Sequence, residues 1–540
     1  MQIQVRINEE GALSNQRYAF TDRFTLVSEL LQNARRAGAT RIEIDYDAAA
    51  QVLRVQDDGC GLDDFQKLLS FHESGWDATT AAEERPFGVG FSKCLYAATR
   101  CIVASNHQRV DIDTAAALAK ASIDVEAIAE TFSGTRIELH GVDLPDLGNR
   151  IETLCLGFPV PVLFNGKPLV RRFALANLAT VPSPIGAVHL AGTRDGKNSY
   201  ETMVFLQGFC VMKPTYCLLD KVNVVHLDSR QFTARLPDRD KLIDEDVQSK
   251  RIDAELKACW RRTLEVAKMQ LPPDRFVEIY YAAMRGSGQV DMLNDLDVLP
   301  AELFDDIVGY PIQDDSRDYV RQVAVAPTRQ AIESGAVQLV SLNWMGDDNA
   351  ARWMLARAKG YLVFDWIGLH LDHWAQRHVR FLEEEAVRVE PVAEQLRVQL
   401  EGRWVWPTVI LCEAVRIRVG HDVVEIADHG VCHEDVLYIP AGETSGEPVR
   451  QVSSFMDEND QFQGSDLDAD RDALADLIRR LRSVDPVQTL DSLLQELRLG
   501  KYPLLHGKAF QVSVGVGSAP GHSVALLAEA PGMGGRHAGS

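Results

Sequence analysis

Residues 24–61, FTLVSELLQNARRAGATRIEIDYDAAAQVLRVQDDGCG, and residues 84–93, ERPFGVGFSK, decide how this chain reads. Phe24, Val27, Leu30, Leu31 and Ala34 recur at helical spacing, and Thr21 or Asp22 is placed to cap the helix at its start. Gly38 stands where the helix should close, because glycine takes the left-handed conformation of a C-cap at no steric cost. Ile42, Ile44 and Tyr46 then alternate with polar residues, and Val52, Leu53 and Val55 do so more loosely, which predicts two strands joined by DYDAAAQ.

Chemistry sits on this frame at four places. Glu29 and Asn33 lie four residues apart and so share one helix face, opposite Val27, Leu30, Leu31 and Ala34. A carboxylate there can orient or deprotonate water, and an amide oxygen can complete a magnesium shell otherwise made of water and phosphate oxygens. Asp57, Gly59 and Gly61 form a DxGxG turn at a strand end, where an acid can accept from the exocyclic amine of adenine and glycines let backbone pass close to a flat ring. Gly88, Val89, Gly90 and Phe91, followed by Ser92 and Lys93 at a helix start, put backbone N–H groups and a positive helix end together, a cradle for a triphosphate. Thr135, after Gly134, opens the strand RIEL with a hydroxyl that can join the adenine side. Taken singly, each piece also fits a solvated helix face, a plain turn or a loop. Their order and spacing carry the reading.

Working outward, 540 residues exceed one core and suggest about three or four domains. A hydrophobic share of 46% with 25% charged residues is that of a soluble globular protein. The formal net charge of -22 argues against nucleic acid as the principal partner, since gripping phosphate needs clustered Lys and Arg. No apolar run reaches the roughly 18–20 residues that span a bilayer, and MQIQVRINEE does not read as a signal peptide. Nine scattered cysteines without a CxxC pair read as reduced thiols, and a cytoplasmic location is expected.

In chain order, residues 1–23 read as a short strand and a polar lead-in, and DDGCGLDDFQKLLSFHESGWD as a turn and short helix. KCLYAATR reads as a helix, and RCIVAS, RVDID and TRIELHG as strands with a helical patch near Ala115–Ala121. Expected boundaries are 1–147 for a nucleotide-binding α+β sandwich and 148–275 for a second α/β domain holding PVPVLFNG, MVFLQGF and VNVVHL. Residues 276–440 form a further α/β region, with helices at NAARWMLARAKG and HWAQRHVRFLEEE; 441–470 is an acidic flexible linker, 471–500 two amphipathic helices, and 501–540 a segment with a disordered end.

As a set, the four pieces resemble the N, G1, G2 and G3 boxes of the GHKL ATPase superfamily, which includes gyrase B, the ninety-kilodalton heat-shock chaperones, histidine kinases and MutL. ELLQNARRAGAT is most similar to the chaperone and sacsin branch, and FGVGF to the chaperone lid. The resemblance covers about residues 20–140 and implies a Bergerat-fold sandwich that binds ATP and Mg2+. It implies that Glu29 is the general base, Asn33 the magnesium ligand, Asp57 the adenine acceptor and Gly88–Phe91 the phosphate-contacting lid. Histidine kinases of the superfamily lack that base, so hydrolysis is favoured over phosphotransfer. Hydrolysing relatives complete the site with a cation from the following domain; Arg230, Arg235, Arg239 and Lys241 are the candidates. Arg36 stands where many relatives carry an acid three residues after the Asn.

Two other patterns are set aside. His370, His373 and His378 lack an HExxH context or an acidic partner and read as a partly buried helix face. Asp466, Asp468, Asp470 and Asp472 resemble the start of a calcium loop, but Arg471 and Leu477 stand where Gly and Glu are needed, so a solvated acidic linker capping the next helix is expected. A P-loop is absent. The expected function is a chaperone-like, Mg-dependent ATPase acting on a protein partner or client; the resemblance implies in addition that lid and second domain move with nucleotide and that a nucleotide-dependent homodimer can form. The alternatives are an ATP-sensing scaffold with little turnover and a MutL- or MORC-like DNA-associated clamp.

Overall fold

The structure is a computed structural model and describes residues 3–4, 8–16, 18, 22–71, 76, 80, 90–193, 201–215, 221–235, 240–310, 318–343, 349–456, 463–515 and 521–527. The chain divides into two compact units, residues 1–300 with 368–373, and residues 301–367 with 374–540. Both are mixed α and β, in keeping with the α+β class read from the sequence.

In the first unit, α1 (Glu9–Gln16) occupies part of the stretch expected to be a strand. It is tied down by Tyr96, whose hydroxyl donates to the Leu13 carbonyl at 2.8 Å. Helix α2 (Thr25–Arg36) follows, closed by two hydrogen bonds: Gly38 N–H to the Arg35 carbonyl and Ala39 N–H to the Ala34 carbonyl, both 3.1 Å. Gly38 has φ of 73°, so the C-cap is where the spacing predicts it. Strands β1 (Ile42–Asp47) and β2 (Val52–Asp57) come next. After the short α3 (Ser92–Ala97) come β3 (Arg100–Asp113), α4 (Thr114–Leu118), β4 (Val125–His140) and α5 (Leu147–Leu154).

RCIVAS and RVDID are thus one long strand, bent by register shifts around Asn106, and β4 starts ten residues before TRIELHG. Polar stretches at its irregular centre hid the continuity. The sheet continues through β5 (Val162–Phe164) and β6 (Lys167–Pro168) in the order β3-β4-β2-β1-β5-β6, with β5 parallel to β1. PVPVLFNG therefore belongs to the first sheet and not to a second domain. The reason is packing: Ile151, Cys155, Phe158 and Val162 join Leu31, Ile42, Leu53 and Leu139 in one core.

A second sheet, in the order β10-β9-β11-β8-β7, holds β7 (Val181–Ser183), β8 (Gly186–His189), β9 (Thr202–Leu206), β10 (Phe209–Met212) and β11 (Asn223–Leu227). MVFLQGF is a hairpin in this sheet, turning at Gln207. Helices α6 (Glu245–Gln270) and α7 (Pro273–Ser287) pack together, so the helical pair runs past residue 275.

The second unit has a sheet ordered β13-β12-β15-β14-β16 from β12 (Phe304–Ile307), β13 (Val320–Gln322), β14 (Leu339–Ser341), β15 (Leu362–Phe364) and β16 (Val379–Phe381), with α8 (Arg329–Glu333) and α9 (Ala350–Lys359). HWAQRHVRFLEEE is not a helix: two 3-10 turns flank β16, which pairs in parallel with β14. A further sheet is built on β17 (Val387–Gln399), β18 (Thr408–Val419), β19 (Asp422–Ile426), β20 (Val431–His433) and β21 (Val436–Ile439). Helices α10 (Gly464–Arg482) and α11 (Pro486–Glu496) and the hairpin of β22 (Ala509–Val514) with β23 (His522–Leu527) complete it.

The stretch 441–470, expected to be an acidic flexible linker, is instead packed structure over its described residues. Val449, Val452 and Phe455 join a core with Leu474 and Ile478 of α10. Asp470 is 0% exposed, its carboxylate accepting the N–H groups of Arg403, Trp404 and Val405, and Asp466 caps α10 in a box with Gln463. Acidic composition concealed two buried structural acids. Residues 457–462 and the terminal 528–540 lie outside the described residues.

Candidate functional site

Helix α2 is set by its ends. Asp22 Oδ1 accepts the Phe24 N–H at 2.9 Å, while its carboxylate also binds the Arg150 guanidinium, which lies over the Phe24 ring. Thr21 is outside the described residues. Val27, Leu30, Leu31 and Ala34 enter the core, which leaves Glu29 and Asn33 together on another face, as the spacing predicts. Asn33 is half-buried. Glu29, by contrast, is only 5% exposed, so its face is not solvated.

What encloses Glu29 comes from the third motif. Ser92 and Lys93 are the first residues of α3 and both are buried. The Lys93 Nζ lies 3.6 Å from Glu29 Oε1. Gly90 lies against the other oxygen: a Cβ there would sit 2.5 Å from Glu29 Oε2, so no other residue fits without displacing the carboxylate. The Lys93 N–H bonds the Gly90 carbonyl at 3.3 Å and the Cys94 N–H the Phe91 carbonyl at 2.9 Å. Cys94 behind them is inert, its thiol pushed up to about 12 by burial first and by the Glu29 charge second. Gly88 and Val89, half of the expected lid, lie outside the described residues.

Asp57 ends β2, opposite Thr135 of β4, which is also opposite Ser105 of β3. Its Oδ1 accepts the Gly59 N–H at 2.9 Å. Burial raises its carboxyl above the ordinary carboxylate range, against the lowering effect of backbone hydrogen bonds from Gly59 and Thr135. The glycines make room for protein neighbours: a side chain at Gly59 would meet Ala37, one at Gly61 the Ser105 hydroxyl, and one at Gly134 (φ 81°) the Asp57 carbonyl.

Several partners carried no sequence signal. Ser105 Oγ donates to the Gly134 carbonyl at 2.7 Å and accepts the Leu62 N–H at 2.8 Å. Asp58 accepts the Thr40 and Arg41 N–H groups at 2.7 and 2.9 Å and the Thr40 hydroxyl at 2.5 Å, and the hydroxyl bond leads in holding its carboxyl low. The Cys60 N–H donates to the Ala37 carbonyl at 2.9 Å. These bonds tie the Asp57 turn to the end of α2, which brings Asp57, Asn33 and Glu29 into one unit of structure. Gln32 Nε2 donates to Gln207 Oε1 at 2.5 Å, joining α2 to the β9–β10 hairpin. An ordinary glutamine pair leaves no pattern to find.

Of the expected cations of the second domain, the three that are described are engaged nearby. Arg230 grips Asp228 and holds its carboxyl down to about 2; Arg235 lies 3.4 Å from Asp240, and Lys241 lies 3.4 Å from Glu245. Arg239 is outside the described residues.

Among the described residues, no group of three or more His, Cys, Asp or Glu side chains could hold a metal ion. The half-buried Asn33 amide is the kind of oxygen donor that suits a hard cation keeping water and phosphate oxygens as its other ligands. An acid, an amide and an ammonium on adjoining elements are donor types compatible with a magnesium nucleotide. No helix among the described residues is long and apolar enough to cross a membrane.

Comparison with known proteins points the same way. Residues 22–141 match the family model described as "Histidine kinase-, DNA gyrase B-, and HSP90-like ATPase". That supports a GHKL-type ATPase domain in this span, with the ATP binding such domains carry out. The chain is also similar to the DNA mismatch repair protein MutL of Proteus mirabilis (strain HI4320), 39% identical over 70 residues. The alignment covers 12% of this chain and 10% of that protein. Neither similarity singles out the chaperone and sacsin branch.

Proposed function

We propose that this protein binds ATP with Mg2+ and hydrolyses it, using the energy of the nucleotide cycle to change how its second domain and a protein partner are held. The observation that carries the reading is the buried Glu29 carboxylate, four residues from Asn33 on α2, with the Asp57 turn bonded to the end of the same helix. Glu29 takes the proton of the attacking water, Asn33 holds the cation, and Asp57 accepts from the adenine amine. The cation, when bound, neutralises charge on the phosphate oxygens. The Gly88–Phe91 segment contacts the phosphates, and one of Arg230, Arg235, Arg239 and Lys241 reaches the terminal phosphate. Such a cation is worth orders of magnitude in rate. Thr135 stays with the adenine side through its pairing with Asp57.

Steady-state phosphate release measured beside nucleotide affinity tests this. The wild type should turn over, and Glu29→Ala should lose about 10²–10⁴-fold in rate while still binding nucleotide. Binding without turnover in the wild type would favour an ATP-sensing scaffold instead.

The similarity to a mismatch repair protein favours a second reading, a nucleotide-gated clamp on DNA. The net charge of -22 weighs against it. DNA affinity that falls steeply with salt and rises with an ATP analogue would establish it.

A further inference from the structure

The pairing of Lys93 with Glu29 goes beyond assigning a base, although its role in the nucleotide cycle rests on the ATPase reading. Lys93 is not a mobile surface lysine. It is 3% exposed and is followed in α3 by Cys94 and Leu95, which are fixed in the core of the first sheet. Its ammonium faces Glu29 Oε1 while the Gly90 backbone closes on Oε2, so both oxygens of the base are confined. At 3.6 Å the contact is longer than the roughly 2.7–2.9 Å of a charge-assisted hydrogen bond. This contact rests on charge more than on a directed bond, so a more highly charged anion brought beside it competes for the ammonium.

That anion is defined by the chemistry of the base. If Glu29 activates the water that attacks the terminal phosphate, that phosphate lies one water away from Glu29, and so within reach of the ammonium beside it. A terminal phosphate group carries more negative charge than one carboxylate, and ADP does not bring it to this position.

We propose that Lys93 is a positioning residue that holds Glu29 in the absence of nucleotide and passes to the terminal phosphate of ATP, so that one ammonium both distinguishes ATP from ADP and releases the base. Glu29 and the terminal phosphate then compete for Lys93. This competition has a consequence that a lysine serving only the fold would lack: removing the charge of Glu29 should improve ATP binding.

The test is calorimetric titration of the full chain with Mg2+ and either a non-hydrolysable ATP analogue or ADP. Lys93→Met should weaken the analogue about tenfold or more and leave ADP within about twofold. Glu29→Gln should tighten the analogue several-fold without changing ADP. In the double variant the gain from Glu29→Gln should vanish, because the shared ammonium is gone. Retained ADP binding shows that each variant is folded. Equal losses for both nucleotides in Lys93→Met, or no tightening in Glu29→Gln, would overturn the proposal and leave the ATPase reading standing. A wild type that binds neither nucleotide would overturn both.

Discussion

Asp57→Asn separates the cost of this site from its use. Asp57 is 9% exposed, and burial raises its carboxyl above the ordinary carboxylate range. A carboxyl whose folded pKa lies above its unfolded one binds more protons when folded, so its contribution to stability is fully present below the unfolded value and is lost as pH rises through the folded value. At neutral pH the ionised Asp57 therefore costs the nucleotide-free fold free energy. Asparagine keeps an oxygen to accept the Gly59 N–H, now at 2.9 Å, and carries no charge. The variant should thus melt at the same temperature as the wild type or higher at pH 7, with the difference shrinking as pH falls towards about 4, near the unfolded carboxyl value. Binding should move the other way. Losing a hydrogen bond to a charged acceptor is worth about 1.5–3 kcal/mol, or roughly 10- to 150-fold in affinity. Scanning fluorimetry across this acid-to-neutral range without ligand, and ADP titration at neutral pH, measure the two effects. A clearly lowered melting temperature at neutral pH, or ADP affinity within about threefold of wild type, would refute the reasoning.

Three further outcomes rest on the same geometry. Asp470→Ala strands three backbone donors at 403–405 and should destabilise the second unit by about 3–5 kcal/mol, seen as an earlier melting transition or faster proteolysis there, with ADP binding to the first unit intact. Gly90→Ala drives a methyl into Glu29 Oε2 and should cut turnover more than it cuts ADP affinity, read as a fall in kcat beside a nearly unchanged Kd. Cys60 is exposed on the Asp57 turn and should react with maleimide near neutral pH, more slowly once ADP is bound, whereas Cys94, with its thiol at about 12, should label only on unfolding. Peptide mapping after timed labelling decides this.

What local chemistry dictates was legible in the sequence. The apolar stripe of α2, its Gly38 cap, the strands β1 and β2 and the grouping of Glu29 with Asn33 each depend on residues a few positions apart. Such patterns survive without knowledge of the fold. Contacts between distant segments left no such trace. Strand β5 pairs with β1 across more than a hundred residues, so the first sheet runs beyond the expected boundary at 147. HWAQRHVRFLEEE has a helical composition, yet a parallel partner makes its centre a strand. Asp470 looked like one acid in a solvated run until the chain at 403–405 supplied three donors.

The candidate site divides along the same line. Which side chains are the candidates for the chemistry was written in the order of the motifs, because the helix and the turn each need their own residues locally. How those side chains are held was decided only by tertiary structure. Glu29 read as one of a polar pair on an open face; folding places it under Gly90 and against Lys93, more than sixty residues away, and a charge taken out of water must find its counter-charge wherever the fold brings one.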